Sequence, residues 1–260
     1  MKYILLTFDL EEFDIPLEYG QAIDIAEQFR VSSDGLSRLI PVLEKFNVKS
    51  TFFTTASYAL AFKSQLKELA ASHEIASHAY THTGFNESDY VKSKVSLEEI
   101  IHQKIYGFRM PRLAEVDVKK ILDAGYSYDS SIHPAWIPGR YNHRHLPESE
   151  YEELGLIRMP CSVSPSPIRF PLFWLSFKNL PLAFYTYWLN QTLDKHGVAC
   201  LYFHPWEYAD ITNYDLPSLV KRVNGMKLIK KLSSFIESYK RKGVAFVSIK
   251  DYLDIQKAKQ

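Results

Sequence analysis

Short apolar runs alternate with helix-like patterns along this chain, and this alternation limits its possible folds more than any other feature. The first run, Tyr3–Phe8, is almost wholly apolar, as expected of a strand that is buried on both faces. Apolar residues at helical spacing follow between Ser33 and Phe46. Repetition of this unit predicts an α/β fold with a parallel sheet and right-handed crossovers. Further strand-like runs are Ser50–Thr55, Glu74–Ser77, Ile105–Phe108, Tyr126–Tyr128, Ala199–Phe203 and Val244–Ile249.

Side chains that can do chemistry come directly after five of these runs. The carboxyl ends of parallel strands meet at one edge of a sheet, which is where α/β folds and barrels build their active sites. We therefore expect the five side chains to converge, and five such strand ends indicate an active site more strongly than a single motif does. The residues are Asp9, His78, Arg109, Asp129 and His204.

Two histidines and an acidic cluster predict a metal site. His78 and His82 are four residues apart, so both imidazoles can face one cation. The first strand ends in the acidic stretch Asp9–Glu12. A carboxylate with two histidines and an open coordination position is the ligand set of a catalytic metal that activates water. A histidine pair of this spacing is also common as a solvated or capping pair, so the interpretation depends on its surroundings.

Composition excludes some classes of protein. The chain has 260 residues, 46% of them hydrophobic, which suits one large α/β barrel or a pair of smaller domains. A formal net charge of +1 gives no bulk attraction to nucleic acid. Cys161 and Cys200 do not make a disulfide framework and are expected to be buried small residues. Met1 and Lys2 lead directly into a strand that ends in acidic residues within about ten positions, too early for a secretory leader, which predicts a cytoplasmic protein.

Five segments, in order along the chain, together resemble the motifs of the polysaccharide deacetylase superfamily, the NodB-like carbohydrate esterases. The second segment resembles the metal-binding motif of that family most closely. All five in the correct order make coincidence improbable, and the resemblance extends over almost the whole chain. The segments are Thr7–Asp9, His73–His82, Gly107–Arg112, Tyr128–Pro134 and Leu201–Glu207.

The resemblance implies a fold, an activity and a cofactor. The fold is a distorted (β/α)7 barrel of the polysaccharide deacetylase type, here a single catalytic domain over residues 1–260. The activity is hydrolysis of an N-acyl group, usually acetyl, on an amino sugar, and the cofactor is a divalent metal, usually zinc. The expected partner is a carbohydrate, either an amino-sugar polymer or a lipid-linked glycan, and the oligomeric state is left open.

The first motif departs from the family pattern of two adjacent aspartates, a base followed by a metal ligand. Leu10 occupies the second position and cannot bind metal. On an extended segment Asp9 and Glu11 point the same way, while Leu10 points into the core. Asp9 is therefore expected to be the base and Glu11, with His78 and His82, to hold the metal.

Family roles carry over to the remaining motif residues. Asp9 would take the proton of the attacking water, and Arg109 would hold Asp9 ionised and oriented. The backbone N–H of Arg112 resembles the oxyanion donor of the family. His204 would protonate the leaving nitrogen, with Asp129 keeping the imidazole charged and aligned.

An aromatic stretch, Ile168–Leu189, lies between the fourth and fifth motifs. Trp174 and Phe177 are three residues apart and share a face if the segment is helical. With Trp206 they are the candidate substrate-binding residues. The stretch is otherwise interpreted as a core helix and loop, or as an interfacial patch that gives peripheral membrane contact.

Two other functions stay open. The first is hydrolysis of a small cyclic or linear amide on the same barrel, for which an enclosed pocket would be the sign. The second is a carbohydrate-binding relative that no longer catalyses a reaction, for which absent metal and absent turnover would be the signs.

Overall fold

The structure, a computed structural model, describes residues 1–259 and is organised around one curled, mostly parallel sheet. Its first strand is the longest, and every residue of that strand is buried. The strands are β1 (Tyr3–Leu10), β2 (Thr51–Thr54), β3 (Glu74–Ser77), β4 (Gly107–Phe108), β5 (Tyr128–Asp129), β6 (Trp136–Ile137), β7 (Tyr141–Asn142), β8 (Tyr151–Glu153), β9 (Leu156–Arg158), β10 (Val198–Phe203) and β11 (Ala245–Phe246).

The strand order is β10-β1-β2-β3-β4-β5-β9-β8, and β11 pairs with the beginning of β1. Only the β8–β9 pair of this sheet is antiparallel within the described residues, and β6 and β7 form a separate hairpin. Beyond β9 the chain crosses to β10, where Ser162 N–H donates to Cys200 O at 2.8 Å and Cys200 N–H donates to Ser162 Oγ at 2.9 Å. The predicted α/β class with a barrel-like parallel sheet is confirmed. Cys161 and Cys200 are both buried free thiols, as expected.

Helices cover the outer face of the sheet. The helix predicted from Ser33 begins earlier, at Ile25. Asp24 caps it there by accepting a hydrogen bond from Glu27 N–H at 2.8 Å. Pro41 lies inside this helix and does not end it. The helices are α1 (Ile15–Glu18), α2 (Ile25–Lys45), α3 (Ala56–Ala61), α4 (Lys63–Ser72), α5 (Asp89–Ile101), α6 (Val118–Asp123), α7 (Trp174–Asn179), α8 (Leu182–His196), α9 (Ser218–Lys221), α10 (Gly225–Arg241) and α11 (Ile249–Lys257).

The alternation of side chains along β1 decides which of them lie on the inner face of the sheet, at the end where the candidate site is. Phe8 and Leu10, with the even-numbered residues before them, pack in the main apolar cluster against the helices. Leu5 packs in a second cluster on the inner face of the sheet, which also contains residues of α11. Because side chains alternate at a period of two, Asp9 and the residue two positions after it continue on the inner face. Asp9 lies within β1, and not after it as expected, because the strand runs on to Leu10.

A buried glutamate fastens the segment before β8 to α8. Glu148 accepts hydrogen bonds from Ser166 N–H at 2.9 Å and Lys195 Nζ at 2.9 Å, and lies 3.1 Å from His196 Nε2. Burial alone would raise the pKa of Glu148, but Ser166, Lys195 and His196 together lower it to about 2. The carboxylate is therefore ionised at all but strongly acidic pH.

Candidate active site and metal centre

Glu11, His78 and His82 meet at the carboxyl ends of β1 and β3. Glu11 Oε2 lies 3.0 Å from His78 Nε2 and 3.1 Å from His82 Nε2. One ligand atom from each residue lies within 4.8 Å of the other two, which is the arrangement of a candidate metal site. The two histidines are brought together by a turn that has Ala79 in the left-handed region at φ 61°, not by a helix.

The far nitrogens of both imidazoles are also held. His78 Nδ1–H donates to the backbone oxygen of Arg109 at 2.8 Å, which leaves Nε2 to face Glu11. His82 Nδ1 lies 2.8 Å from Asp14 Oδ1. Metal-binding histidines usually donate their other ring N–H to a carbonyl or carboxylate, which fixes ring orientation. The donor set and its surroundings therefore fit a divalent cation.

The carboxylates around His82 favour a positive charge on its imidazole. Burial alone would lower the pKa of His82, but the carboxylates of Glu11 and Asp14 raise it to about 9. Burial likewise would raise the pKa of Glu11, but His82, His78 and His204 hold it well below its usual value. A cation bound by Glu11, His78 and His82 would balance the charge of the Glu11 carboxylate, while Asp14 would stay on the far nitrogen of His82. Sequence reasoning missed Asp14, although its position three residues after Glu11, just beyond the acidic stretch Asp9–Glu12, could have indicated it.

The two adjacent glutamates point in different directions, as strand alternation predicted. Glu11 Oε1 accepts a hydrogen bond from Trp206 Nε1 at 3.2 Å inside the site. Glu12 Oε2 accepts from Thr55 Oγ1 at 3.0 Å. Leu10 is fully buried in the apolar cluster. The ligand role of Glu11 itself stays a prediction.

Asp9 is held by a buried arginine. Arg109 Nη1 donates to Asp9 Oδ1 at 2.7 Å and to Thr7 Oγ1 at 2.8 Å. Its Nε and Nη2 donate to the backbone oxygen and hydroxyl of Ser130 at 3.1 and 2.8 Å. The guanidinium lies over the Phe53 ring at 4.0 Å and has no exposed surface. Arg109 therefore fixes one oxygen of Asp9 and leaves Oδ2 on the side of the cavity.

His204 follows β10 and faces Asp9 of β1 and Glu11, which directly follows that strand. Its Nε2 lies 4.0 Å from Asp9 Oδ2 and 3.9 Å from Glu11 Oε1. The ring stacks on Trp206 with centroids 4.9 Å apart, and the edge of Trp174 meets it at 5.2 Å. Five strand-end residues were expected to converge, and the structure brings together four of them: Asp9, His78, Arg109 and His204.

The fifth, Asp129, is a correction. Its carboxylate accepts hydrogen bonds from Arg158 Nε at 3.0 Å and from Ser131 N–H at 3.1 Å. Among the described residues, it forms no ion pair with His204. Asp129 is the last residue of β5, and the register of the sheet sets it directly opposite Arg158 on β9. Arg158 on the adjacent strand therefore pairs with Asp129, whereas His204 follows β10, a strand that does not pair with β5.

Arg112 lies beside the site with a left-handed backbone at φ 57°. Its side chain donates to Asp14 Oδ2 at 3.1 Å, to Glu18 Oε1 at 2.9 Å and to the backbone oxygen of His82 at 2.9 Å. Glu18 also accepts from Arg140 Nη2 at 3.1 Å. Glu18 thereby bridges two arginines from different loops across the mouth of the site. The predicted oxyanion role of the Arg112 backbone stays untested.

The cavity beneath this bridge is small, about 70 Å³. Charged groups of the site and two tryptophans supply much of its wall. The lining residues include Asp9, Glu11, His82, Arg112, Trp174, Tyr202, His204 and Trp206.

Phe177 is a second correction. The ring has no exposed surface and packs against Tyr185 and Phe203, with centroids 5.1 Å away in each case. Trp174 is the first residue of α7 and reaches the cavity, whereas Phe177 faces the sheet. The expectation that the two share a substrate-facing surface is wrong, because α7 packs against the core on the side that carries Phe177.

Comparisons with known proteins agree with the motifs. The family model "Polysaccharide deacetylase" matches residues 1–128 of the 260, which include the first three motifs. A search of the curated proteins finds no match.

Solved structures extend the similarity of fold to nearly the whole chain. A proposed polysaccharide deacetylase from Mycobacterium smegmatis aligns with TM-score 0.65 at 19% identity, over 99% of this chain and 90% of that one. PuuE allantoinase aligns with TM-score 0.63 at 15% identity, over 96% and 88%. BA3943, a CE4 family pseudoenzyme from Bacillus anthracis, aligns with TM-score 0.54 at 15% identity, over 96% and 64%.

The resemblance to the polysaccharide deacetylase superfamily, and its type of distorted barrel, is thus confirmed. The family supports deacetylase activity in general, that is, hydrolysis of amide bonds. None of the helices in residues 1–259 is long and apolar enough to cross a membrane.

Proposed function

From the confirmed resemblance to the polysaccharide deacetylase superfamily, we propose that this chain is a metal-dependent hydrolase that removes an N-acyl group, usually acetyl, from an amino sugar. The observation that carries the proposal is the meeting of Glu11, His78 and His82 within 4.8 Å of one another. Asp9 and His204 face this point from two neighbouring strands. The substrate would be an amino-sugar polymer or a glycan precursor.

A divalent ion held by Glu11, His78 and His82, most often zinc in this family, would act as a Lewis acid that polarises the amide carbonyl and activates water. Asp9 Oδ2 accepts a proton from that water, since Oδ1 is bound to Arg109. His204 Nε2 then gives a proton to the leaving nitrogen, because an amine is a poor leaving group without one.

The surrounding residues orient the substrate. The backbone N–H of Arg112 stabilises the negative charge that develops on the carbonyl oxygen. Trp174 and Trp206 line the cavity and offer aromatic faces for a sugar ring. Asp129, engaged by Arg158, is given no part in the reaction and is assigned to the structural core.

A second candidate, hydrolysis of a small cyclic or linear amide, is favoured by one observation. The cavity of about 70 Å³ is well below the ~300–1,000 Å³ typical of ligand pockets. The Glu18 bridge to Arg112 and Arg140 lies across its mouth, and the fold neighbours include PuuE allantoinase. A polymer would require this bridge to open.

Metal content and turnover test both candidates. The purified protein is analysed for bound metal, then assayed for acetate release from N-acetylated amino-sugar oligomers and for hydrolysis of small amides, before and after chelation and re-addition of zinc. Oligomer turnover that chelation abolishes and zinc restores is expected. Turnover of small amides alone would establish the second candidate. Absent metal together with absent turnover would leave a non-catalytic carbohydrate-binding protein, and the pseudoenzyme among the fold neighbours is a precedent.

A matched pair of variants tests the ligand set. Glu11→Gln should lose metal, whereas Glu12→Gln should keep it, because Glu12 is bonded to Thr55 outside the cluster. Both changes are isosteric and both positions are buried, so a general effect of neutralising a buried acid would appear in both. His82→Ala should also lose metal sharply. Full metal retention in His82→Ala would rule out this ligand set.

The two proton-transfer roles have distinct signatures. Asp9→Asn should retain metal and substrate yet lose most turnover, since an amide cannot accept the proton. His204→Ala should slow amide substrates far more than activated esters, whose leaving groups need no proton. Equal losses on the two substrate types would contradict the role of His204 as the acid.

Location and membrane contact remain predictions. Ile168, Phe184 and Tyr187, in the aromatic stretch, are exposed and could support peripheral contact with a lipid-linked glycan. Co-sedimentation with vesicles that contain glycolipid would test this contact, and absence of binding would leave the stretch as an ordinary part of the fold.

A further inference from the structure

A buried ion pair lies directly behind His204. Glu207 stands at the end of the Leu201–Glu207 motif, in the short 3-10 helix Pro205–Tyr208, and Lys178 lies on α7. Lys178 Nζ is 3.2 Å from Glu207 Oε2, and neither side chain has exposed surface. Lys178 Nζ also donates to the backbone oxygen of Val220 at 2.7 Å. The mechanism proposed above uses neither residue of the pair.

Stability alone is a weak reason for such a pair. Two charges taken out of water lose their hydration, and well-packed apolar residues of similar volume are often at least as stabilising. The position of the pair is more informative, because the other oxygen of Glu207 is turned towards His204.

One oxygen of Glu207 holds His204 at two points. Glu207 Oε1 accepts the backbone N–H of His204 at 2.8 Å and lies 3.2 Å from His204 Nδ1. A carboxylate accepts and does not donate when ionised, so Nδ1 carries a proton. The nitrogen that faces Asp9 and Glu11 is consequently Nε2.

Aromatic rings fix the plane of the same imidazole. Trp206 stacks on it at 22° between planes, and Trp174 meets it edge-on at 90°. Lys178 Nζ lies over these two indole rings, 5.2 Å from the centroid of Trp174 and 5.8 Å from that of Trp206. The ion pair therefore contacts each of the groups that orient His204.

We propose that Glu207 is the positioning residue of His204, and that Lys178 in turn orients Glu207, so that Nε2 is directed at the leaving nitrogen. This inference rests on the proposed function for the acid role of His204. In the step concerned, His204 Nε2–H gives its proton to the leaving nitrogen as the C–N bond breaks. The neutral imidazole keeps its proton on Nδ1, in the hydrogen bond to Glu207 Oε1. Glu207 thus takes the place that sequence reasoning gave to Asp129.

Glu207→Gln and Asp129→Asn, both isosteric, form the matched test. Glu207→Gln should reduce turnover of N-acetylated oligomers by roughly 10–100-fold, the usual effect of losing such a supporting contact. Activated esters should be affected far less, and bound metal should be unchanged. Asp129→Asn should leave the amide-to-ester ratio unchanged, because its carboxylate is engaged by Arg158.

A spectroscopic readout separates positioning from folding. Nitrogen NMR of protein labelled at histidine should place the proton of neutral His204 on Nδ1 in the wild type, and on a mixture of both nitrogens in Glu207→Gln. If that variant does not fold, Lys178→Met should shift the same equilibrium in the same direction.

An unchanged His204 tautomer, an equal loss on amides and esters, or a changed ratio in Asp129→Asn would overturn the inference. Failure of the proposed function has a different signature. His204→Ala would then leave the amide-to-ester ratio unchanged, while the tautomer of His204 would still respond to Glu207→Gln.

Discussion

Replacement of Arg109 by methionine should destabilise the protein strongly, because it removes the only charge that contacts Asp9 Oδ1 within residues 1–259. Arg109 is fully buried and donates to Asp9, to Thr7 and twice to Ser130. Methionine fills similar space but has no donor. The Asp9 carboxylate, itself only 5% exposed in its side chain, would keep its charge without its cation.

Breaking a buried ion pair by removal of one partner costs about 3–5 kcal/mol, which is the loss expected for Arg109→Met. Asp9→Asn keeps an oxygen that accepts from Arg109, so its expected loss is about 1–3 kcal/mol. The double variant should lose less than the sum, with a coupling of about 1–3 kcal/mol, because the second change removes the charge that the first left unpaired.

Urea unfolding of the four proteins, followed by circular dichroism and tryptophan fluorescence, gives the required free energies of unfolding. Arg241→Met is the matched control, since Arg241 pairs with Glu237 but its side chain is 72% exposed, and its loss should stay within ~1 kcal/mol. An Arg109→Met protein as stable as this control, or strictly additive losses in the double variant, would refute the reasoning.

Three further predictions follow from packing and from charge. Phe177→Ala should lower the free energy of unfolding by about 3–5 kcal/mol, since its ring is fully buried, and urea unfolding measures this loss. Trp174→Ala should mainly raise KM, which steady-state kinetics measure. Gly35→Ala should reduce both stability and turnover, because an added Cβ would lie 1.9 Å from the backbone oxygen of Pro205, in the segment that follows the proposed catalytic acid. Glu148→Gln should lose at most about 3 kcal/mol of stability near neutral pH. Folding lowers the pKa of Glu148 from 4.5 to about 2. The charged carboxylate therefore contributes its full stabilisation above pH 4.5. The difference in unfolding free energy between the wild type and Glu148→Gln should shrink as pH falls below 4.5.

Each of these predictions has a clear contrary result. Equal stability losses for the Phe177 and Trp174 variants would show that both side chains belong to the core. A Gly35→Ala protein with wild-type stability would show that the close approach of α2 to Pro205 relaxes easily. A difference for Glu148→Gln that does not change between pH 7 and pH 4 would show that its charge does not contribute to stability.

Much of the site could be predicted because it depends on local geometry. Alternation along β1 places Asp9 and Glu11 on one face and Leu10 on the other, whatever the remainder of the chain does. Parallel strands carry His78 and His204 to the same edge of the sheet, and the motifs indicated the resemblance to the polysaccharide deacetylases. The α/β class, the barrel and the meeting of two histidines with Glu11 followed from these regularities.

Element boundaries were less predictable. The helix expected from Ser33 begins at Ile25, because its start is set by the capping residue Asp24 and not by the first apolar residue of the pattern. The lysine-rich region 218–241 forms two helices, α9 and α10, and Gly225, the first residue of α10, lies in the left-handed region at φ 51°. Local spacing marks where a helix can bury a face, while its ends depend on single hydrogen bonds.

Only the tertiary structure decided which distant groups became partners. Asp129 pairs with Arg158, because β5 and β9 are neighbours in the sheet, so His204 is held instead by a local partner, Glu207, three residues further along the chain. The direction in which α7 packs separated Trp174 from Phe177. The sequence by itself determined the strands, their faces and the edge at which the candidate catalytic groups collect, since these depend on backbone geometry over a few residues. Strand order, register and helix orientation are set by the packing of the whole core, and so the pairing of buried charges and the shape of the cavity were fixed only when the chain had folded.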